Sequence, residues 1–278
     1  MIEKIKNVLN ENQLRMFCDT CFGYFLDLPK FVVQCQLIHS LLLRELHQPN
    51  QNEFWFEVWG KRVKYGIEEF ALVTGLNCMG NVGASSVFID ENRLMSTYFP
   101  GSSKVNKQSV QKYFLSKRWE NDEDCIKLAV IFFVEVFLLS SGLGKTVSKR
   151  TFDIVESGTF NEYPWGKDVF YLTLDFMKGI VENKISGSFY RLNGFPYGFQ
   201  VWFYEAACSG LSNICFHNPG QVPRILNWGC SLSPTYKVLK RAVFGGSSKK
   251  VKFYYFVYFM FLFFLLFLVL TVSFFRQL

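Results

Sequence analysis

The chain has 278 residues, half of them apolar and 18% aromatic, with 30 Lys and Arg set against 23 Asp and Glu. Apolar and aromatic residues run throughout the body, which excludes an intrinsically disordered chain, and the length suffices for one large domain or two small ones. The net charge of +7 falls in clusters, Lys104/Lys107/Lys112/Lys117/Arg118, Lys145/Lys149/Arg150 and Lys237/Lys240/Arg241/Lys249/Lys250/Lys252; these suit contact with nucleic acid or anionic lipid, but they read first as solvated helix faces.

Residues 1–16 carry Glu3, Lys4, Lys6, Glu11 and Arg15 and lack the apolar core of a secretory signal. No Asn-x-Ser/Thr acceptor occurs in the sequence. The eight cysteines are therefore expected as reduced thiols rather than as a disulfide framework.

An amphipathic helix is predicted over 4–18. Pro29 suits a helix opening, and Phe31, Cys35, Ile38, Leu42 and Leu46 recur at helical spacing, predicting a second helix over 31–46 that Pro49-Asn50 terminates. Aromatics at Phe54, Trp55, Phe56 and Trp59, then Gly60-Lys61 and a run to Tyr65, predict a short β-hairpin over 53–65. Residues 67–74 read as a helix stopped by Gly75. Residues 80–100 read as loop, and 105–119 as a polar helix.

The strongest internal apolar segment is 122–139, uninterrupted from Leu128 except by Glu135. It is too short to cross a bilayer and predicts a central buried helix. An element of unassigned type at 151–155 follows. Helices are predicted over 165–181 and 195–208, a Pro-rich loop over 214–226 and a last short helix over 234–243. Gly245-Gly246-Ser247-Ser248 opens a flexible basic linker, 245–252.

Residues 253–275 carry no charge and hold nine of the 32 phenylalanines, enough apolar length to span a membrane. Tyr254, Tyr255 and Tyr258 suit one interface. Lys249, Lys250 and Lys252 outnumber Arg276, placing the body on the cytosolic side of a tail-anchored span. A second reading treats this segment as intron read-through. Its residues come largely from thymine-rich codons, and Val251-Lys252 is what a splice donor beginning GTAAA encodes.

Candidate chemistry is sparse. Cys18-x-x-Cys21 followed by Cys35-x-x-x-His39 approaches zinc-finger spacing. The intervening segment is apolar and lacks a hairpin-plus-helix pattern, so the thiols read as buried structural groups. Gly144-Lys145-Thr146 resembles the end of a phosphate-binding loop, but Leu139 stands where the motif needs glycine. His39, His47 and His217 stand in no local hydrolase motif. Glu135 inside its apolar run must be paired or neutral, and Arg118 or Arg44 are the expected partners. No catalytic, cofactor-binding or metal-binding residue is assigned.

Several strings together resemble a known plant family. They are Cys21-Phe22-Gly23, Leu28-Pro29, Leu41 to Glu45, Glu69-Phe70-Ala71-Leu72-Val73-Thr74-Gly75-Leu76-Asn77-Cys78, Tyr163-Pro164-Trp165-Gly166-Lys167, Gly194-Phe195-Pro196-Tyr197, Gln200 to Glu205 and Pro223-Arg224-Ile225-Leu226-Asn227-Trp228. Their order resembles the plant domain of unknown function number nineteen eighty-five over 17–244. That domain is often found upstream of a SUMO-protease-like domain in transposon-derived proteins. The hairpin followed by a Thr-Gly-Leu helix is also similar to the plant mobile domain. The resemblance implies an interaction role with protein or nucleic acid, and the downstream protease activity is not carried over.

The expected architecture is mainly α: a helical lead-in (1–16), a single globular helical domain with a small β-hairpin (17–244), the linker (245–252) and a single-pass transmembrane helix (253–275). The expected function is a non-enzymatic interaction module, without cofactor or small-molecule substrate, at a membrane through 253–275. The alternative is a soluble nuclear module that binds nucleic acid or a protein partner.

Overall fold

Four asparagines decide where helices begin. The computed structural model describes residues 1–58, 60–80, 87–102, 104–182, 191–207 and 211–244. The side chains of Asn10, Asn92, Asn106 and Asn121 accept from the amides of Gln13, Met95, Ser109 and Asp124 and so cap α2 (Glu11–Cys18), α5 (Arg93–Tyr98), α6 (Lys107–Leu115) and α7 (Asp122–Phe133). A short polar side chain here satisfies one of the amides that a helix start leaves without a partner.

The first cap corrects the single helix expected over 4–18. Gln13 returns a bond to the Asn10 amide at 3.1 Å, completing a capping box that restarts the chain after α1 (Ile2–Val8). A 3-10 turn, Gly23–Asp27, follows α2.

The helix expected over 31–46 is likewise shorter, α3 (Cys35–Leu42). The residues before it are held out of the helix by tertiary bonds. The Cys230 amide donates to Lys30 O, the Val32 amide meets Cys230 Sγ, and the Gln34 amide donates to Gln200 Oε1 at 2.7 Å. The buried face of α3 is Leu37, Ile38, Ser40, Leu41 and Leu42, so Ile38 and Leu42 of the expected stripe are buried while Cys35 is exposed and Leu46 lies past the helix end.

The hairpin forms as expected from β1 (Phe54–Val58) and β2 (Lys61–Tyr65), antiparallel with Phe54 opposite Tyr65 and Val58 opposite Lys61. Trp59 lies outside the described residues. Next come α4 (Ile67–Thr74) and Gly75 at φ 74°, a left-handed stop. α5 falls in the stretch expected as loop, where the Asn92 cap sets its start.

The apolar segment becomes α7, buried continuously from Asp124 to Phe133, followed by a π turn, Val134–Leu138. A helix apolar on every side must be covered on every side. α2, α6 and α8 (Lys149–Glu156) pack against it. α9 (Trp165–Val181) has the expected bounds, and α10 (Pro196–Ala207) packs on α4 and α3.

The Pro-rich loop is partly ordered, pairing β3 (Phe216–His217) with β4 (Trp228–Gly229). α11 (Tyr236–Leu239) and a π turn, Lys240–Phe244, follow. One hydrophobic core runs from Ile2 to Val243, with Phe133 at the centre of an aromatic group including Phe17, Phe22, Phe25 and Phe137.

The described chain is thus mainly helical with a small antiparallel hairpin. Among the described residues no helix is long and apolar enough to cross a membrane. The linker (245–252) and the span expected at 253–275 lie outside the described residues.

The cap on α7 gives a direct test. Asn121→Ala is expected to destabilise the fold by about 1 kcal/mol, and Asn121→Ser to retain most of that, read as the urea unfolding midpoint.

Candidate functional site

The most singular grouping of charges is buried beneath the π turn. Glu135, 3% exposed, does not pair with Arg118 or Arg44. Its Oε2 lies 3.1 Å from Lys107 Nζ, and its Oε1 accepts from Thr151 Oγ1 at 2.6 Å. Lys107 Nζ also donates to the carbonyls of Glu135 at 2.8 Å and Leu139 at 2.6 Å. All three ammonium donors are thereby used. The widened turn, closed by the Leu139 amide on Val134 O, leaves the Glu135 and Leu139 carbonyls to the lysine.

Lys107 was expected on a solvated face. It is buried because the start of α6 is stitched to the following loop. The Lys107 and Gln108 amides donate to Lys145 O and Leu143 O, and Asn106 bridges to Thr146. The Gly144-Lys145-Thr146 string is therefore used as a staple on the start of α6, and the segment before it is helix and π turn rather than strand. Arg44 instead donates to Ser40 O and lies 3.9 Å over the Phe244 ring, while Arg118 is exposed.

A second network fixes α5 against α7. Asp124 accepts from both Arg93 guanidinium nitrogens at 2.9 and 2.5 Å and from Tyr98 Oη at 2.5 Å. The Arg93 bonds, with help from Tyr98, outweigh burial and hold the Asp124 carboxyl below its usual value. Asn92 and Lys149 both bond Asp153.

The residues weighed for metal binding and catalysis are dispersed. Cys18 ends α2, and Cys21 sits beside 160–161, its thiol donating to Phe160 O and its amide to Asn161 Oδ1. Cys35 and His39 lie on α3. Cys18 and Cys35 are exposed and Cys21 is half-buried, which corrects their reading as buried core thiols. Among the described residues no three His, Cys, Asp or Glu side chains converge as a metal site.

Burial pushes the thiols of Cys21, Cys78, Cys125 and Cys215 up to about 12, so they hold almost no thiolate at neutral pH. His39 and His47 are exposed, and His217 stacks on Trp228 with ring centres 4.1 Å apart. An open cavity of about 270 Å³ between α2 and α7 is lined by Met16, Asp19, Ile126, Lys127 and Phe160. Its Lys127 is already paired with Glu123 at 2.9 Å.

The motif residues act as clamps. Glu69 Oε2 accepts from the Gly66 amide at 2.8 Å, and Thr74 Oγ1 closes α4 on Phe70 O. A side chain at Gly75 would strike Pro223 at 2.7 Å. The segment after Gly75 is then gripped by the 163–167 motif. The Gly166 amide donates to Asn77 O, Lys167 Nζ donates to Gly80 O, and a Cβ on Gly166 would meet Cys78 Sγ at 2.4 Å. Gln200 donates to Val32 O and to Tyr204 Oη, and Arg224 and Trp228 both hold Glu205.

A basic edge around α11 faces solvent, and its cations belong to the last of the charge clusters that the sequence marks for phosphate or anionic lipid. The signal was segregation of charge along the chain. Residues 1–205 hold all 23 carboxylates and 22 of the cations, whereas residues 206–278 hold eight Lys and Arg and no carboxylate. Lys237, Lys240 and Arg241 are exposed. So are Phe216 (46%), Leu232 (75%) and Tyr236 (54%). The Phe216 ring lies against Gly229, beside the backbone of the exposed Lys30.

Residues 42–175 match the family described as Domain of unknown function (DUF1985), and over that stretch the chain resembles the family as its motifs led one to expect. The match runs from the end of α3 into α9, less than the 17–244 expected, and the motifs at 21–23, 28–29, 194–205 and 223–228 lie outside it. No curated protein and no solved structure matches the chain.

The buried pair predicts a sharp asymmetry. Glu135→Ala strands the Lys107 ammonium and is expected to cost about 3–5 kcal/mol, whereas Glu135→Leu combined with Lys107→Met is expected near neutral, both by urea unfolding. For Asp124 the depressed native value means that its stabilisation is fully present above the ordinary aspartate value of 3.8 and is lost as pH falls through the native one. Wild type and Asp124→Asn should therefore differ in thermal midpoint at pH 7 and converge in strong acid.

Proposed function

We propose that this chain is a non-enzymatic interaction module whose DUF1985-type body is held at a membrane by residues 253–275, on the cytosolic side. The observation that carries this reading is the uncharged run of 23 residues placed directly after the carboxylate-free basic stretch. The uses of the motif residues support the non-enzymatic part. Glu69, Thr74, Gly75, Gly166, Lys167, Gln200 and Glu205 all serve in caps, close backbone approaches or internal bonds. Such residues determine a shape rather than a reacting centre.

A second reading has its own observation. Val251-Lys252 matches a translated splice donor, and the basic stretch also suits phosphate. The body is then a soluble nuclear module of a mobile element, binding nucleic acid or a protein partner.

Fractionation separates the two. The full tagged chain is expected in the membrane pellet and to resist alkaline carbonate. Recovery in the soluble fraction, or a spliced message joining Lys250 to a different exon, would overturn the membrane reading.

A further inference from the structure

We propose that the edge formed by α11, the 229–236 loop and the β3–β4 ribbon lies directly against an anionic phospholipid surface. This rests on the membrane reading and goes beyond it, because an anchored body can also hang free on its linker.

Reach is the first argument. Nine peptide steps separate Phe244 from Phe253. At roughly 3.3–3.6 Å per step a fully extended chain covers about 30 Å, so Phe244, at the end of the π turn after α11, cannot stand further than that from the start of the span. The Arg44 guanidinium packed on the Phe244 ring fixes the point of exit against α3.

Charge is the second. Lys237, Lys240 and Arg241 are exposed on and just after α11, and Lys249, Lys250 and Lys252 follow within the reach-limited segment. No carboxylate follows Glu205, and Glu205 itself is held by Arg224 at 3.0 Å and by Trp228 at 2.5 Å. A cation pays for its approach to a surface only where no fixed anion competes for it. This stretch supplies none, and the attraction acts within a Debye length of about 8 Å.

The third is the company these cations keep. Leu232, Tyr236 and Phe216 are each about half exposed or more. Leu232 and Tyr236 lead into Lys237 along the chain, and such apolar and aromatic tips beside a lysine suit the headgroup boundary, where the ring or chain enters the apolar side and the ammonium stays at the phosphates. Bare solvent contact leaves that apolar surface uncovered.

The test uses the full chain reconstituted into phosphatidylcholine vesicles and into vesicles with one part in three phosphatidylserine, followed by amide hydrogen exchange over 229–243. Exchange there is expected to slow by roughly tenfold in the anionic vesicles and to recover at high salt. Replacing Lys237, Lys240 and Arg241 together by Glu is expected to abolish the slowing while the chain stays carbonate-resistant and exchange in α7 is unchanged. Leu232→Asp is expected to weaken it in part. Equal exchange in the two vesicle types from an anchored chain overturns the docking alone. Release by carbonate overturns the membrane reading and the docking with it. Slowing by a short RNA or DNA oligonucleotide without vesicles, and none by phosphatidylserine, assigns the edge to nucleic acid and overturns the proposal.

Discussion

Everything in the body is arranged around the burial of α7. From Asp124 to Phe133 each residue is out of solvent, and the π turn carries Glu135 into the same interior. An all-round apolar helix needs cover on each side, which α2, α6 and α8 provide. A buried carboxylate in addition needs a counter-charge whose own donors are satisfied. Lys107 meets that demand through Glu135 and two carbonyls that the π turn leaves unused by the helix. The 143–147 loop, bonded to the start of α6, in turn holds Lys107 toward Glu135.

The strings that signalled the family act in pairs across the fold. The segment just after Gly75 is caught by the Gly166 backbone and the Lys167 ammonium, with no room for a side chain at Gly166. Gly75 itself abuts Pro223 of the 223–228 motif. Residues roughly ninety to a hundred and fifty positions apart are thus constrained by one another's size. Their specificity as a signature follows from close packing, since glycine is required wherever another chain occupies the space of a Cβ.

Charge divides the chain differently from structure. Up to Glu205 the two signs nearly balance, and they are knitted together: Arg93 to Asp124, Lys149 to Asp153, Lys107 to Glu135. Beyond it only cations remain, and those on α11 face water beside exposed Leu232 and Tyr236. The positive charge that composition reports for the whole molecule therefore belongs to its last quarter. An average over 278 residues conceals this.

The sequence by itself determined the hairpin, the Gly75 stop, the bounds of α9, the buried apolar helix and the family resemblance over 42–175, because each is written in local pattern: alternation, a left-handed glycine, period and contiguous motif. It also required a partner for Glu135, since an unpaired buried carboxylate is too costly. Which partner was a matter for tertiary structure. Lys107 lies 28 positions away and looks like a surface lysine until the loop stitched to α6 turns it inward. The same holds for the late start of α3. Its apolar period continues back to Phe31, but hydrogen bonds with Cys230 and Gln200, more than a hundred and sixty residues distant, keep 30–34 out of the helix. Local propensity is worth a few tenths of a kcal/mol per residue, whereas a buried backbone group without its partner costs about 1–3 kcal/mol, and so the long-range bonds prevail.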